Sequence, residues 1–226
     1  MISIQRSACP KALQGSSGGK RRYRNQSVVN TLHSMQHGKC CYCECDIPAK
    51  GHGKAVEHFQ PIATFRKLQN DWNNLLLACQ RCNGKKRDEF PTDARTKAPL
   101  LINPSDSMID PEDHLDFIVD LEDEARGLIR AKNGSRRGKK TIEAIGLDYI
   151  YYTQQHKRHL FELVREYLVL LEASSRGHDA ELQRSKGRLR MMLSAKNKFS
   201  AVARAFAKRY SVDAEFSIEI PEGVTE

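Results

Sequence analysis

Apolar residues recur at helical spacing along much of this 226-residue chain. Val28, Val29, Leu32 and Met35 predict a helix that delivers the chain to Gly38. Leu160, Leu163, Val164, Tyr167, Leu168 and Leu171 repeat at three and four and predict a helix over about 149–173, after a shorter one over about 138–146. Leu189, Met192, Leu193, Phe199, Val202, Ala203, Phe206 and Tyr210 carry the same pattern over about 179–209. Strand signals are fewer. Ala55 to Phe59 reads as a short strand, and the stretch after Asn73 reads as helix running through to Lys86. Leu115, Phe117, Val119 and Leu121 alternate with mostly polar residues, as a half-buried strand does, and Gly127 to Ala131 is its expected hairpin partner. Prolines 91, 99, 104 and 111 mark a connecting segment. The pattern predicts an α+β chain with a mainly helical C-terminal region. Its expected divisions are an N-terminal arm and helix (1–37), a motif region (38–100), and a small hairpin followed by helices (101–226).

No apolar run approaches the ~20 residues of a membrane span, and the N-terminus lacks the apolar core of a secretory leader. A cytoplasmic location and no membrane partner are therefore expected. The net charge is +9, which favours a polyanionic partner. Charge is unevenly spread. Arg176 to Tyr210 holds ten Lys/Arg against Asp179 and Glu181, whereas Ser105 to Arg126 holds nine acids against Arg126 alone. Lys11 to Arg24 carries five basic residues and no acid around Gly15-Ser16-Ser17-Gly18-Gly19, a flexible loop or a phosphate-contacting arm. The acidic stretch is a candidate docking face for a protein.

Seven cysteines, in a reducing compartment, read as metal ligands when they fall in paired Cys-x-x-Cys turns. Cys40/Cys43 and Cys79/Cys82 supply the four thiolates of a structural zinc site. The 35 residues between Cys43 and Cys79 must hold structure of their own. Cys9, Cys41 and Cys45 take no assigned role. Gly51-His52-Gly53 reads as a loop tip inside the insert, and Trp72, the single tryptophan, as a core plug.

Between the knuckles stand Val56-Glu57-His58-Phe59-Gln60-Pro61 and Asn73-Asn74-Leu75, and the second knuckle continues as Cys82-Asn83-Gly84-Lys85-Lys86. This order over 38–88 resembles the HNH endonuclease family, whose ββα-metal motif is a hairpin followed by a helix. The resemblance implies His58, Asn74 and Asn83 as the three motif letters, an HNN variant. It implies phosphodiester hydrolysis with His58 as general base and Asn74 holding the loop that orients it. Glu57 and Asn83 would hold a catalytic Mg²⁺ or Mn²⁺ through oxygen. Glu57 stands where the family often has Asp, and Asn83 where it often has His. Lys85, Lys86 and Arg87 are candidate phosphate contacts.

The wording Cys-x-Tyr-Cys-Glu, Val-Glu-His-Phe-x-Pro and a helical tail with Ile145-Gly146-Leu147-Asp148 and Arg158 resembles a narrower group. These are the HNH subunits of Septu-type and retron-linked anti-phage systems. That resemblance implies a nuclease, on DNA first, controlled by an ABC/SMC-like ATPase partner and in some systems by retron RNA/DNA. Asp148 stands where an asparagine is common in that group. The alternatives are a non-catalytic zinc-knuckle binding or adaptor subunit, and an effector that cleaves RNA, tRNA included.

Overall fold

A computed structural model describes residues 1, 3–14, 21–49, 51 and 53–218. The Gly-Ser run of the expected flexible arm, and His52 of the expected loop tip, lie outside the described residues. The architecture is α+β. Among the described residues no helix is long and apolar enough to cross a membrane.

The chain forms two compact units. The first joins Met1–Leu115 with Ala131–Leu147, and the second joins Asp116–Arg130 with the chain from Asp148 onward. This differs from the division expected at 37 and 100. The N-terminal helix and the helix after residue 135 both pack on the motif region and so belong with it.

In the first unit, α1 spans Gln26–Met35, capped by the Asn25 side chain on the Ser27 amide. Strand β1 (Lys54–His58) pairs antiparallel with β2 (Leu75–Cys79), placing Glu57 opposite Leu76 and His58 opposite Leu75. Helix α2 (Gln80–Lys86) follows directly. The run Leu75-Leu76-Leu77-Ala78-Cys79 is therefore strand, not the start of a helix. It is a continuous apolar segment buried on both faces, which periodicity alone does not separate from buried helix. Its outer edge is closed without a third strand. The Gln36 carboxamide donates to the Leu77 carbonyl (2.7 Å) and accepts from the Leu77 amide (2.8 Å), and the Cys41 amide donates to the same carbonyl (3.0 Å). A buried edge thus leaves none of its Leu77 polar groups unpaired.

Helix α3 (Arg136–Ile145) begins where the Ser135 hydroxyl accepts from the Gly138 amide and ends at Gly146 in the left-handed region. Gly138 lies so close to the chain at His114 that an added Cβ would run into the His114 carbonyl. Strand β3 (Leu115–Phe117) pairs with β4 (Ile129–Ala131), the hairpin the alternation predicts.

The second unit is a helical assembly of α4 (Ile150–Ser175), α5 (Asp179–Leu193), α6 (Ser200–Arg209) and α7 (Val212–Phe216). Leu160, Leu163, Leu170, Leu189, Leu193 and Phe206 are buried in its core. The helix expected over 179–209 is two helices. Ser194 leaves α5 in extended geometry and Phe199 takes a left-handed φ of 52°. That turn buries the Phe199 ring against His156 (5.1 Å between centroids), a packing gain that a straight helix does not offer.

Gly138→Ala is expected to cost about 1–3 kcal/mol through overpacking. A melting temperature lower than wild type in a thermal scan checks this, and an unchanged one refutes the close approach.

Candidate active site

The two Cys-x-x-Cys turns meet. The sulfurs of Cys40, Cys43, Cys79 and Cys82 all lie within 4.8 Å of one another. Four thiolates around a tetrahedral zinc, at bonds of ~2.3 Å, stand about 3.8 Å apart. The Cys43–Cys79 separation is 3.8 Å, so the donor set fits zinc in number, chemistry and spacing. Local geometry aims the first turn: the Glu44 amide donates to the Cys40 carbonyl (3.1 Å) and the Cys40 amide to the Cys45 carbonyl (2.9 Å). Glu44 then adopts a positive φ of 59° and meets Lys39 in a buried ion pair at 3.5 Å. This fold-back brings the Cys45 sulfur to 3.3 Å from that of Cys43, a fifth thiol beside the clamp. The paired spacing does not announce it.

The clamp encloses the hairpin and takes its last thiol from α2. Asn74 closes the loop between β1 and β2. Its Oδ1 accepts from the Gln60 amide (2.7 Å), and its Nδ2 donates to the carbonyls of Gln60 (2.9 Å) and Leu68 (3.3 Å). Its own carbonyl accepts from the Phe59 amide. The loop so closed presents the Gln69 carbonyl, 3.0 Å from His58 Nε2. A carbonyl only accepts, so Nε2 carries the proton and Nδ1 keeps its lone pair. Burial lowers the His58 pKa below the usual histidine value, with the Gln69 hydrogen bond opposing and the Lys86 charge assisting. The Tyr23 ring stands edge-on to His58 at 4.7 Å, and the Tyr23 amide donates to Asn70 Oδ1 (3.2 Å).

Two residues sit otherwise than expected. Lys86, a candidate phosphate contact, is fully buried. Its ammonium lies 2.7 Å from Glu57 Oε1 and donates to the His58 carbonyl (3.0 Å). Glu57, expected to hold a catalytic metal, is 2% exposed and also accepts from the Tyr42 hydroxyl (3.1 Å). Burial raises the Glu57 pKa, against the pull of Lys86. The physical reason is strand alternation: neighbouring residues on β1 face opposite sides, so Glu57 turns inward as His58 turns outward. Asn83 is half-buried on α2, three residues before Lys86. Lys85 and Arg87 are exposed at the helix end.

Tyr23, Gln69, Gln60 and Tyr42 complete the site, and the spacing of the motif residues does not point to them. Tyr42 alone carried a signal, as the third letter of Cys-x-Tyr-Cys. Trp72 is buried, and its indole donates to the Ser7 carbonyl (2.9 Å). Arg6 donates to the carbonyls of Trp72, Asn73 and Leu75, so the N-terminal segment straps the turn that carries Asn74.

Two strands, one helix and a thiol clamp lie within residues 40–89, which match the family model for HNH endonucleases. The chain is similar to the Septu protein PtuB of Bacillus mycoides (strain KBAB4), 34% identical over 165 residues, covering 62% of this chain and 50% of that protein. It is also similar to the Septu protein PtuB of Bacillus thuringiensis, 40% identical over 119 residues, covering 53% and 40%. The chain therefore spans about half the length, or less, of the curated relatives it matches.

Lys86→Met leaves the Glu57 carboxylate buried and unpaired, and is expected to cost about 3–5 kcal/mol. Adding Glu57→Gln should recover a large part of that loss. Denaturant titration of both variants checks the cycle; a single variant within 1 kcal/mol of wild type would refute the buried pair.

Proposed function

We propose that this chain is a metal-dependent endonuclease that hydrolyses phosphodiester bonds, on DNA first. We further assign it to an anti-phage system with an ABC/SMC-like ATPase partner, retron nucleic acid joining in some systems. The observation that carries the chemistry is the 3.0 Å approach of His58 Nε2 to the Gln69 carbonyl, which favours the Nε2–H tautomer. With Nε2–H held by Gln69, Nδ1 takes a proton from water as the water oxygen bonds to phosphorus and the P–O3′ ester bond breaks, the leaving 3′ oxygen taking a proton from solvent. Asn74 acts through position, because it closes the loop that carries Gln69.

A divalent ion, Mg²⁺ or Mn²⁺, would neutralise charge on the phosphate when bound. The expected ligand pair is reduced by one, because Glu57 is already paired with Lys86. Asn83 remains as a neutral oxygen donor, with no side-chain hydrogen bond among the described residues. A single amide oxygen holds a hard ion weakly, so substrate phosphate and water would complete its shell. The likeness to two proteins named as Septu proteins supports the assignment to that kind of system.

Plasmid DNA and total RNA incubated with Mg²⁺ or Mn²⁺, with and without the ATPase, test this reading. His58→Ala should slow cutting by roughly 10²–10⁴-fold. Equal cutting by wild type and His58→Ala would remove His58 from the chemistry. If neither polymer is cut under any condition, the chain is a binding or adaptor subunit.

The direction of the His58 shift sets a pH profile. A lowered pKa keeps the base form populated at neutrality, and protonation removes it only as pH falls through that lowered value. The cleavage rate should rise with pH on the acid side, with its half-maximal point below the ordinary histidine value of about 6.5. A half-maximal point at or above that value would contradict the buried, Gln69-bound imidazole.

A further inference from the structure

We propose that Arg21, Arg24, Arg66 and Lys67 form a cradle for the phosphodiester backbone of a nucleic-acid duplex beside His58. The ligand class rests on the nuclease reading; the site itself rests on placement and charge. Two separate segments converge on the histidine. From one side comes Tyr23, whose ring meets the imidazole and whose amide meets Asn70. From the other comes Gln69, whose carbonyl holds Nε2. Arg21 and Arg24 lie within two residues of Tyr23, and Arg66 and Lys67 lie within one short helical turn (Arg66–Leu68) that ends at Gln69. At ~3.8 Å per residue, each cation sits on backbone pinned to the histidine's surroundings.

All four side chains are exposed, and none has a carboxylate partner among the described residues. Arg24 lies over the Tyr23 ring at 5.6 Å, leaving its guanidinium edge open. Arg22 is excluded because it donates to the Gln14 carbonyl. The nearby Asp71 carboxylate caps the Asn73 amide. In the second unit, whose sequence holds the densest basic run, part of the charge is paired. There Arg176, Arg184, Arg188 and Arg209 are paired with Glu172, Glu181, Glu166 and Asp120, respectively. Positive charge left uncompensated around a base that works on phosphate is an electrostatic footprint. The Tyr23 ring is buried and offers no stacking face, so the site reads backbone rather than unstacked bases.

The test is fluorescence anisotropy in the His58→Ala background, with matched DNA and RNA duplexes, over 50–200 mM salt. Arg21→Gln, Arg24→Gln, Arg66→Gln and Lys67→Gln together should flatten the slope of log K against log salt by roughly 3–4, at about 0.9 per lost contact on B-DNA. A control set in the second unit, Arg158→Gln, Arg165→Gln, Lys186→Gln and Arg190→Gln, should change the slope by less than half as much. The duplex that shows the effect names the polymer. An unchanged slope on both duplexes overturns the cradle, as does an equal effect from the control set or no binding by the parent protein. If His58→Ala still cuts but the slope flattens, the cradle stands and the catalytic assignment falls.

Discussion

The Lys86 ammonium is the contact on which the motif's geometry depends. It joins α2 to β1 twice, through the Glu57 carboxylate and the His58 carbonyl. Both partners are dry, so desolvation costs several kcal/mol per ion and is offset only by close approach and further hydrogen bonds. Tyr42 supplies one such bond to Glu57, the His58 carbonyl another to Lys86. The cluster therefore ties the first knuckle, the strand and the helix at one point. Moving the helix by an ångström would strand two charges in low dielectric. Such a pair contributes less to net stability than to uniqueness of arrangement, because misplacement is so costly.

Around that point the chain closes loops inside loops. The thiol clamp brings together ends separated by 35 residues, and Asn74 closes the shorter loop between the strands. Loop-closure entropy grows only slowly with length, about 0.6 kcal/mol per doubling. One zinc site can thus carry the long closure, and three hydrogen bonds from one carboxamide the short one. The nested closures deliver the Gln69 carbonyl to His58, and the Arg6 strap supports the inner closure from outside.

Much of this was legible in the sequence, because it depends on local spacing. Cys-x-x-Cys turns aim two sulfurs at one point whatever surrounds them, and the alternation that begins at Leu115 and Phe117 marked a real strand, which ends at Phe117 rather than running on to Leu121. What escaped depends on tertiary placement. Lys86 lies in a Lys-Lys-Arg run that reads as a set of phosphate contacts, and only the docking of α2 on β1 buries it. Leu75–Cys79 is apolar at every position, so it has no period to betray a strand. Tyr23 lies 35 residues before His58, and nothing in its neighbourhood signals a contact across that distance. The break between α5 and α6 falls at Phe199, an aromatic that suits a helix but buries better outside one.

The Glu57-His58 dipeptide shows how a motif read as one unit divides into two tasks. Period two along a strand sends adjacent side chains to opposite faces, so two neighbours on β1 cannot both line one open site without local distortion. The pairing of His58 with Leu75 and Glu57 with Leu76 shows that β1 stays regular to its end. Glu57 therefore anchors the helix beneath the strand, while His58 faces the loop. This arrangement explains how a glutamate is accommodated: its extra methylene reaches a lysine on α2, across the thickness of the packed motif. It also separates the charges. The carboxylate nearest His58 in sequence is neutralised by Lys86, so it does little to raise the imidazole pKa, while burial and the lysine both lower it. The imidazole pKa stays below the usual value because its neighbouring acid is used as structure.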